Sequence, residues 1–466
     1  MLGLGVQRRP LAGSQGLVVA VGAAAFALAA ITGVLLVHQP KLGLLVIGAV
    51  VFLPLAFLNP PLALAAWATS AFMTSIPAFG QASNRSLYLL FIVWFGMLFA
   101  RDGALRARAR RQIPMLGGLV LFIAWVLLSL LWAPSPDLVK DTAINYVLSA
   151  GVFLLVTTFV LEPKHARWIA GAYVAGTALS VLSGAATGGL STSATDLDTS
   201  SSVQGRLQGG VSDPNYLAAA CVPAIMLAGG LAAKRGQPLV RFALIVAIGI
   251  LAIGLAATES RGGLIAAAIV SLGALLFWRG RRLTVAVVIG IVALGAAGWF
   301  AASPSSWQRV TSAQDGGSGR TDIWQVAWRV VEAHPLDGAG LGQFPVVSQN
   351  FIREPGALSR ADLIVDKHIV VHNAYLQLWA ETGAIGLFLF LLLVVRSILS
   401  AHRAADRFER LGDLDTATLA RAAMLALVGA LTASFFLSNI DDRRLWILIA
   451  LGPTLLAMTR PEEMRT

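Results

Sequence analysis

Long apolar segments alternate with short polar ones along most of the chain. The apolar segments run for roughly 16 to 24 residues, close to the length that a helix needs to cross a hydrocarbon core of about 30 Å. Each is therefore predicted to be a membrane-spanning helix. We place them at about 15–37, 42–58, 61–76, 87–100, 113–132, 142–160, 167–186, 214–233, 239–257, 262–278, 283–302, 374–400, 416–438 and 444–459. The pattern predicts an all-α, polytopic transmembrane helix bundle of about 12 to 14 helices.

The second to fourth apolar segments are short, and prolines interrupt them. Re-entrant or half-crossing segments are therefore an alternative there, and losing two crossings would keep both termini on one side of the membrane. The prolines are Pro54, Pro60, Pro61 and Pro77. Arg8 and Arg9 precede the first segment, and no small-residue cleavage site follows it, which predicts an uncleaved anchor.

Two longer polar stretches, 187–213 and 303–372, break the alternation. The second has nearly balanced charge and is predicted to be a small subdomain outside the membrane. Within it Thr321 is expected to cap a helix that runs through His334, and the apolar face of this helix is expected to lie along the membrane interface. The chain is accordingly divided into N-terminal transmembrane helices, a transmembrane core with arginine-bearing outer loops, an extracytoplasmic loop subdomain and C-terminal transmembrane helices, at 1–190, 191–302, 303–373 and 374–466.

The basic residues predict the orientation of the bundle. When crossings alternate, six basic clusters fall on one side, which the positive-inside rule makes cytoplasmic. They are Arg8/Arg9, 101–111, Lys164/Arg167, Lys234/Arg235/Arg241, Arg279/Arg281/Arg282 and His402/Arg403. Both termini are then expected in the cytoplasm, and the two longer polar stretches outside it.

Composition agrees with a membrane protein. Of the 466 residues, 57% are hydrophobic and only 13% are charged, whereas soluble domains have about 25% charged residues. The net charge of +11 is concentrated in the loops between apolar segments, so nucleic-acid binding is not expected. The single cysteine, Cys221, lies in an apolar segment, and a disulfide framework is therefore excluded.

Three predicted helices begin on the outer face with residues suited to chemistry. Ser212 or Asp213 can cap the helix that starts at Pro214, and Arg206 lies just ahead of it. Arg261 starts a second helix. His372 and Asn373 start the third. The positive dipole ends and unpaired N–H groups of these helices would point outward and stabilise an anion.

For each of these residues a plainer interpretation remains open. Arg261 could snorkel to headgroups, although the two glycines after it would let a backbone or a ligand approach closely. Arg206 and Arg320, in polar segments, could be solvated. The titratable ring of His372 at a helix start favours a functional role.

Glu381 continues a polar stripe spaced by four from Asn373. A carboxylate that deep in the membrane needs a partner, and a structural hydrogen bond is favoured over catalysis.

Two further patterns carry weaker signals. Asp196 and Asp198 form a DxD pair, but such pairs arise often in Ser/Thr loops, so no metal site is predicted. The GAGLG of HPLDGAGLGQF is read as a turn, because no strand precedes it and the lysine of a phosphate-binding loop is missing. Asp441 to Arg444 could pair with one another or contact headgroups.

Four segments together resemble the bacterial O-antigen ligase and polymerase superfamily, called Wzy_C or WaaL-like. They are SDPNYLAA, TESRGG, GRTDIWQVAWRVVEAHPLDGAGLGQF and HNAYLQLWAETGAIGL. The resemblance covers about 200–395. It implies an integral membrane glycosyltransferase of the cytoplasmic membrane that takes a glycan from an undecaprenyl diphosphate carrier at the extracytoplasmic face. Surface polysaccharide biosynthesis would be its pathway.

The resemblance also assigns roles to residues. His372 matches the catalytic histidine, and Arg261 and, less closely, Arg206 match arginines that would bind the donor diphosphate. Arg320, Asn373 and Glu381 are supporting candidates, and neither a cofactor nor a metal is expected. The partners would be the lipid-linked donor, a glycan or lipid acceptor and the bilayer. A transporter or flippase of the same lipid-linked glycan is the alternative, but it should show internal repeats and charges at the midplane.

Overall fold

The computed structural model describes residues 38–99, 113–186, 205–211, 213–234, 236–278, 282–311, 320–352 and 370–459. The predicted first segment, 15–37, lies outside the described residues. The helices are α1 (Pro40–Leu58), α2 (Pro60–Ser70), α3 (Pro77–Phe99), α4 (Ile113–Leu128), α5 (Pro136–Phe159), α6 (Pro163–Ala186), α7 (Pro214–Ala232), α8 (Pro238–Ala257), α9 (Arg261–Phe277), α10 (Arg282–Ala302), α11 (Pro304–Thr311), α12 (Arg320–Ala333), α13 (Phe344–Ile352), α14 (Ala374–Arg410), α15 (Leu414–Ala433) and α16 (Arg443–Ala457). The all-α polytopic prediction is confirmed.

Prolines set the boundaries of the N-terminal helices. Pro60 and Pro77 are the first residues of α2 and α3, where the missing N–H costs nothing and the fixed φ suits a helix. The second to fourth apolar segments are therefore separate helices. With 11 residues, α2 is long enough for only about half of the hydrocarbon core.

Seven of the described helices are long and apolar enough to cross a membrane. They are Pro136–Phe159, Pro163–Ala186, Pro214–Ala232, Pro238–Ala257, Val285–Ala302, Ala374–Arg410 and Leu414–Phe436. Four shorter apolar helices accompany them, at Val46–Leu58, Ala82–Leu98, Met115–Leu131 and Arg261–Phe277. The predicted total of 12 to 14 crossings stays a prediction.

Helix α7 lies at the centre of the bundle, in contact with α6, α8, α9 and α15. Small residues allow this close packing. A Cβ on Gly230 would lie 2.4 Å from the Cβ of Ala422 in α15, so the two backbones approach where side chains are smallest. The start of α7 is thereby fixed relative to its neighbours.

The polar stretch before α14 has a small core of its own. Ile323, Ala327, Val330 and Val331 of α12 are buried against Phe344 of α13 and against Val371 and Ala380 at the start of α14. The apolar face of α12, expected at the membrane interface, is thus covered by protein. Thr321 is the second residue of the helix and not its N-cap.

Helix α14 is broken at Gly383, which has φ 69° and ψ −177°. The segment 335–342 packs against the break: Ala339 N–H donates to Ala380 O at 2.9 Å, and Ala384 N–H donates to Pro335 O at 2.9 Å. Trp125 of α4 donates to Thr382 O at 2.8 Å. Other parts of the chain therefore satisfy main-chain groups that a continuous helix would satisfy itself.

The glycines of GAGLG serve this contact. A Cβ on Gly338 would lie 2.4 Å from Glu381 C, and Gly338 has φ +72°. This is a backbone crossing that only glycine permits. The interpretation of GAGLG as a turn is confirmed.

Candidate functional site at three helix starts

Helices α7, α9 and α14 begin at the same end of the bundle, as their contacts with the residues between α15 and α16 show. These residues, 434–442, comprise a short turn, 434–436, and the connection 437–442. Tyr216 at the start of α7 donates its hydroxyl to Ser438 O, and His372, just before α14, donates its N–H to Ser438 Oγ at 3.0 Å. A Cβ on Gly262 of α9 would lie 2.6 Å from Phe436. We call Arg206, Asn215, Tyr216, Arg261, His372 and Ser438 the helix-start cluster.

Arg206 is held inside the protein. Its side chain is 9% exposed, its Nε donates to Thr258 O at 2.7 Å and its Nη2 donates to Asn215 Oδ1 at 2.9 Å. Thr258 is the C-cap of α8, and a cation there is favoured by the helix dipole. Arg206 therefore joins the end of α8 to the start of α7, and the solvated alternative is wrong.

The N-caps of the three helices use the N–H groups that were expected to point outward. Asp213 accepts from Asn215 N and Tyr216 N at 2.7 and 3.0 Å. Ser260 accepts from Gly263 N at 3.3 Å, and Asn373 accepts from Tyr375 N and Leu376 N, both at 3.1 Å. An anion at this end would therefore meet helix dipoles and guanidinium groups more than unpaired N–H groups.

Asp213 is the N-cap of α7. It is one of the two residues, Ser212 and Asp213, that the sequence predicted for this cap. The predicted alternative, Ser212, lies outside the described residues.

His372 occupies a strained backbone conformation. Its φ of 53° is one of two positive values among the non-glycine residues that the structure describes, and a histidine there is uncommon. The carbonyl of Val371 accepts from Trp324 Nε1 at 3.0 Å, and the ring of His372 is half-buried. Such strain persists where the surroundings impose it, and it recurs at functional sites.

Arg261 differs from Arg206 in that it is exposed. It is the first residue of α9, one position after the N-cap Ser260. The two glycines after it admit protein and not a ligand, since a Cβ on Gly262 or Gly263 would lie 2.6 Å from Phe436 and 2.7 Å from Ala218. Of the two predicted donor-binding arginines, Arg261 lies at the surface of the cluster.

Glu381 has the structural role that the sequence favoured. It is 2% exposed, its Oε2 accepts from Gly342 N at 2.9 Å and its Oε1 accepts from Gln377 Nε2 at 3.1 Å. Gln377 Oε1 accepts from Val371 N at 3.4 Å. The carboxylate thus anchors the segment 335–342 and connects it with the residue before His372.

Arg320 is half-buried at the first residue of α12. Trp324, one turn later, bonds the carbonyl next to His372, so α12 approaches the cluster through that tryptophan. Arg320 thus lies in the subdomain, on the helix whose Trp324 approaches the cluster.

Of the four charged residues after Ile440, Asp442 and Arg444 pair with each other. Arg444 Nε donates to both carboxylate oxygens of Asp442, at 2.9 and 3.0 Å, and its guanidinium lies 5.9 Å from the centre of the Tyr216 ring. Arg443 Nη1 donates to Asn84 Oδ1 at 2.5 Å. Burial, with the neighbouring Asp442 carboxylate, raises the pKa of Asp441 to about 6, against the opposing effect of the two arginines.

Sequence reasoning missed Asn215, Tyr216, Glu259 and Ser438. Glu259, with φ 52°, is the second non-glycine residue in a left-handed conformation, and it precedes the cap of α9. The polar LSNIDD after α15 was the available signal for Ser438.

No metal-binding group of three ligands occurs among the described residues. Asp196 and Asp198 lie outside them, so the expectation of no metal site stays a prediction.

Comparison with protein families gives one match. Residues 218–391 match the family Wzy_C, O-antigen ligase. The matched region contains Arg261, Arg320, His372, Asn373 and Glu381, whereas Arg206 and Ser438 lie outside it. A search of the curated proteins found no match. Over residues 218–391 the chain is therefore similar to the O-antigen ligase family.

Proposed function

We propose that this protein transfers an oligo- or polysaccharide from an undecaprenyl diphosphate carrier to an acceptor hydroxyl at the extracytoplasmic face of the bacterial cytoplasmic membrane. The observation that carries the proposal is the helix-start cluster. His372 and Arg206 are connected through Tyr216, Asn215 and Ser438. The match of residues 218–391 to the O-antigen ligase family supports glycosyl transfer.

The chemistry suits these residue types. Neutral imidazole at His372 accepts the proton of the acceptor hydroxyl as the oxygen attacks the anomeric carbon, since the reference pKa of histidine, about 6.5, is close to ambient pH. The bond between the anomeric carbon and the diphosphate oxygen breaks, and the lipid diphosphate leaves with the electron pair. A single displacement inverts the anomeric configuration.

The two arginines divide the stabilisation of the leaving group. Arg261, exposed at the start of α9, forms charge-assisted hydrogen bonds with the diphosphate. Arg206 adds positive charge from inside the protein, and its bonds to Thr258 and Asn215 fix the ends of α8 and α7. Guanidinium groups in place before the reaction lower the energy of the developing charge without reorganisation.

Contacts at the other end of the bundle support the orientation. Arg167 Nη2 donates to Thr416 Oγ1 at 2.9 Å, and Arg241 Nε donates to Ala232 O at 3.0 Å. The start of α6 therefore lies beside the start of α15, and the start of α8 lies beside the end of α7; since α7 and α15 have their other ends at the helix-start cluster, both contacts are opposite it. Basic residues favour the cytoplasmic side, so the cluster faces away from the cytoplasm.

The break in α14 does not favour the transporter alternative. Discontinuous helices in transporters hold substrates or ions at the break. Here the backbone of 335–342 occupies that place, and Glu381 bonds Gly342 and Gln377. The break therefore joins the subdomain to the bundle.

Purified protein incubated with an undecaprenyl diphosphate glycan and candidate acceptors tests the proposal. A ladder of products identifies a polymerase, and a single adduct identifies a ligase. His372→Ala is the matched negative control. Absence of any product, together with movement of the intact donor between leaflets of proteoliposomes, would replace transfer by transport.

A further inference from the structure

The connection 437–442 is firmly anchored where it passes the helix-start cluster. Tyr216 donates to Ser438 O, Trp446 Nε1 donates to Ile440 O at 2.6 Å, and Ser149 Oγ donates to Asp441 O at 2.6 Å. Three carbonyls of one short segment are thus bonded by three different helices. A side chain on this segment has a fixed position.

Ser438 uses that position to hold the backbone of His372. Its Oγ accepts the His372 N–H at 3.0 Å, and His372 has φ 53°. A left-handed conformation at a non-glycine residue is strained and needs support from its surroundings. Ser438, the bond from Trp324 to Val371 O and the cap formed by Asn373 provide such support.

The same residue connects His372 to the helix that contacts Arg206. The carbonyl of Ser438 accepts from Tyr216, and the neighbouring Asn215 accepts from Arg206. Tyr216 N–H is in turn fixed by Asp213. Ser438 therefore bonds His372 through its side chain and α7 through its main chain.

We propose that Ser438 is a positioning residue for glycan transfer, which sets the place of the His372 ring relative to the arginines. This rests on the proposed function, in which His372 takes the proton of the acceptor. Ser438 touches the backbone of His372 and not the reacting atoms. An error of about 1 Å in the placement of a catalytic group can lower turnover by about 100-fold, so one hydroxyl group at this point has a large effect on rate.

Two substitutions at this residue and one control test the proposal. Ser438→Ala removes the acceptor, and Ser438→Thr keeps it. Ser434→Ala is the control, because Ser434 lies in the short turn that leads into the same connection but donates to Ala430 O at 2.9 Å. We expect kcat to fall by about 10- to 100-fold in Ser438→Ala with little change in KM, and Ser438→Thr and Ser434→Ala to keep most of the turnover.

Hydrogen exchange separates this proposal from the proposed function. Ser438→Ala should speed exchange in peptides that cover 371–376, whereas Ser434→Ala should leave these peptides unchanged. Exchange at 371–376 that is unaltered in Ser438→Ala overturns the positioning role, as does turnover equal to that of Ser434→Ala. If wild-type protein transfers no glycan, the proposed function fails, while exchange still decides whether Ser438 holds this backbone.

Discussion

Helix α14 has two irregular regions, and they are built differently. Its start, at His372, relies on individual side chains: Ser438 and Asn373 each hold backbone N–H groups. Its break, at Gly383 about three turns later, relies on main-chain contacts with 335–342 and on glycines without room for a Cβ. In the proposed function the first arrangement positions groups for chemistry, whereas the second joins two parts of the fold.

This difference predicts separable effects of substitution. At the break, a substitution displaces a backbone and should cost stability. At the start, a substitution changes one polar group and should cost activity, provided that the altered group is exposed. Substitution of a buried side chain in the helix-start cluster, Arg206 above all, should lower both stability and activity.

The largest effect is expected from Gly383→Ala. A Cβ there would lie 2.0 Å from Leu336 O, in a backbone with φ +69°, so the segment 335–342 must leave the break. We expect a loss of more than about 3 kcal/mol of stability, seen as a failure to accumulate or as a large fall in unfolding temperature in detergent. Gly171→Ala in α6 is the matched control, because no atom lies within 4 Å of its Cβ position. Equal stability of the two variants would contradict the described break.

Substitution of the two arginines by lysine sharpens the comparison inside the helix-start cluster. Arg261→Lys keeps the charge of an exposed side chain but loses the bidentate fork, so transfer should fall by about 10- to 100-fold with an unchanged unfolding temperature. Arg206→Lys should lower the transfer rate and the unfolding temperature, since a lysine cannot bond both Thr258 O and Asn215 Oδ1 in the same geometry. Transfer rates and unfolding temperatures of the two variants check this. Unchanged turnover in Arg261→Lys would remove Arg261 from the diphosphate site.

Glu381→Gln should have a smaller effect, and mainly on stability. In the wild type Glu381 accepts from both Gly342 N and the NH2 group of Gln377. The new amide can still accept from Gly342 N through its oxygen, but its NH2 group would face the NH2 group of Gln377. One buried donor loses its acceptor, at a cost of about 1 to 3 kcal/mol. Denaturant unfolding measures this loss. A loss of turnover at unchanged stability would instead assign Glu381 to the chemistry.

The most gradual effect is the pH dependence that Asp441 contributes. Because burial and the neighbouring Asp442 carboxylate raise its pKa from the ordinary 3.8 to about 6 in the folded protein, the folded state binds more protons between these values. Stability should therefore fall as pH rises from about 4 to 6, by about 1 to 3 kcal/mol, and stay lower above that range. Unfolding at several pH values should show a flatter profile in Asp441→Asn. An equal slope in both proteins would contradict this assignment.

The sequence predicted the helices and several of their ends, because these depend on local patterns. Apolar segments of membrane length, prolines at first helical positions and the caps Asp213 and Asn373 all leave a signal within a few neighbouring residues. The turn at GAGLG was predicted for the same reason. The alternation of basic loops also placed the three helix starts on one face, and their shared contacts at Ser438 and Phe436 agree with that.

Contacts between distant segments could not be predicted in this way. Ser438 and His372 are 66 positions apart, and Gly342 and Glu381 are 39 apart, so no periodicity connects them. The sequence predicted the apolar face of α12, but not what covers it. We expected this face to contact the membrane, whereas it packs against α13 and the start of α14. Which polar side chains are exposed likewise depends on packing: Arg206 is buried and Arg261 is exposed.

The most direct test of the account is the rate of transfer by His372→Ala with saturating donor and acceptor, measured beside its unfolding temperature. A general base contributes about 100- to 10,000-fold to a rate, so we expect at least about a 100-fold loss of turnover in protein that folds as the wild type does. Turnover close to that of the wild type would contradict the assignment of His372 as the base. A loss of turnover that only follows a loss of folded protein would place His372 with Gly383, among the residues that hold the fold together.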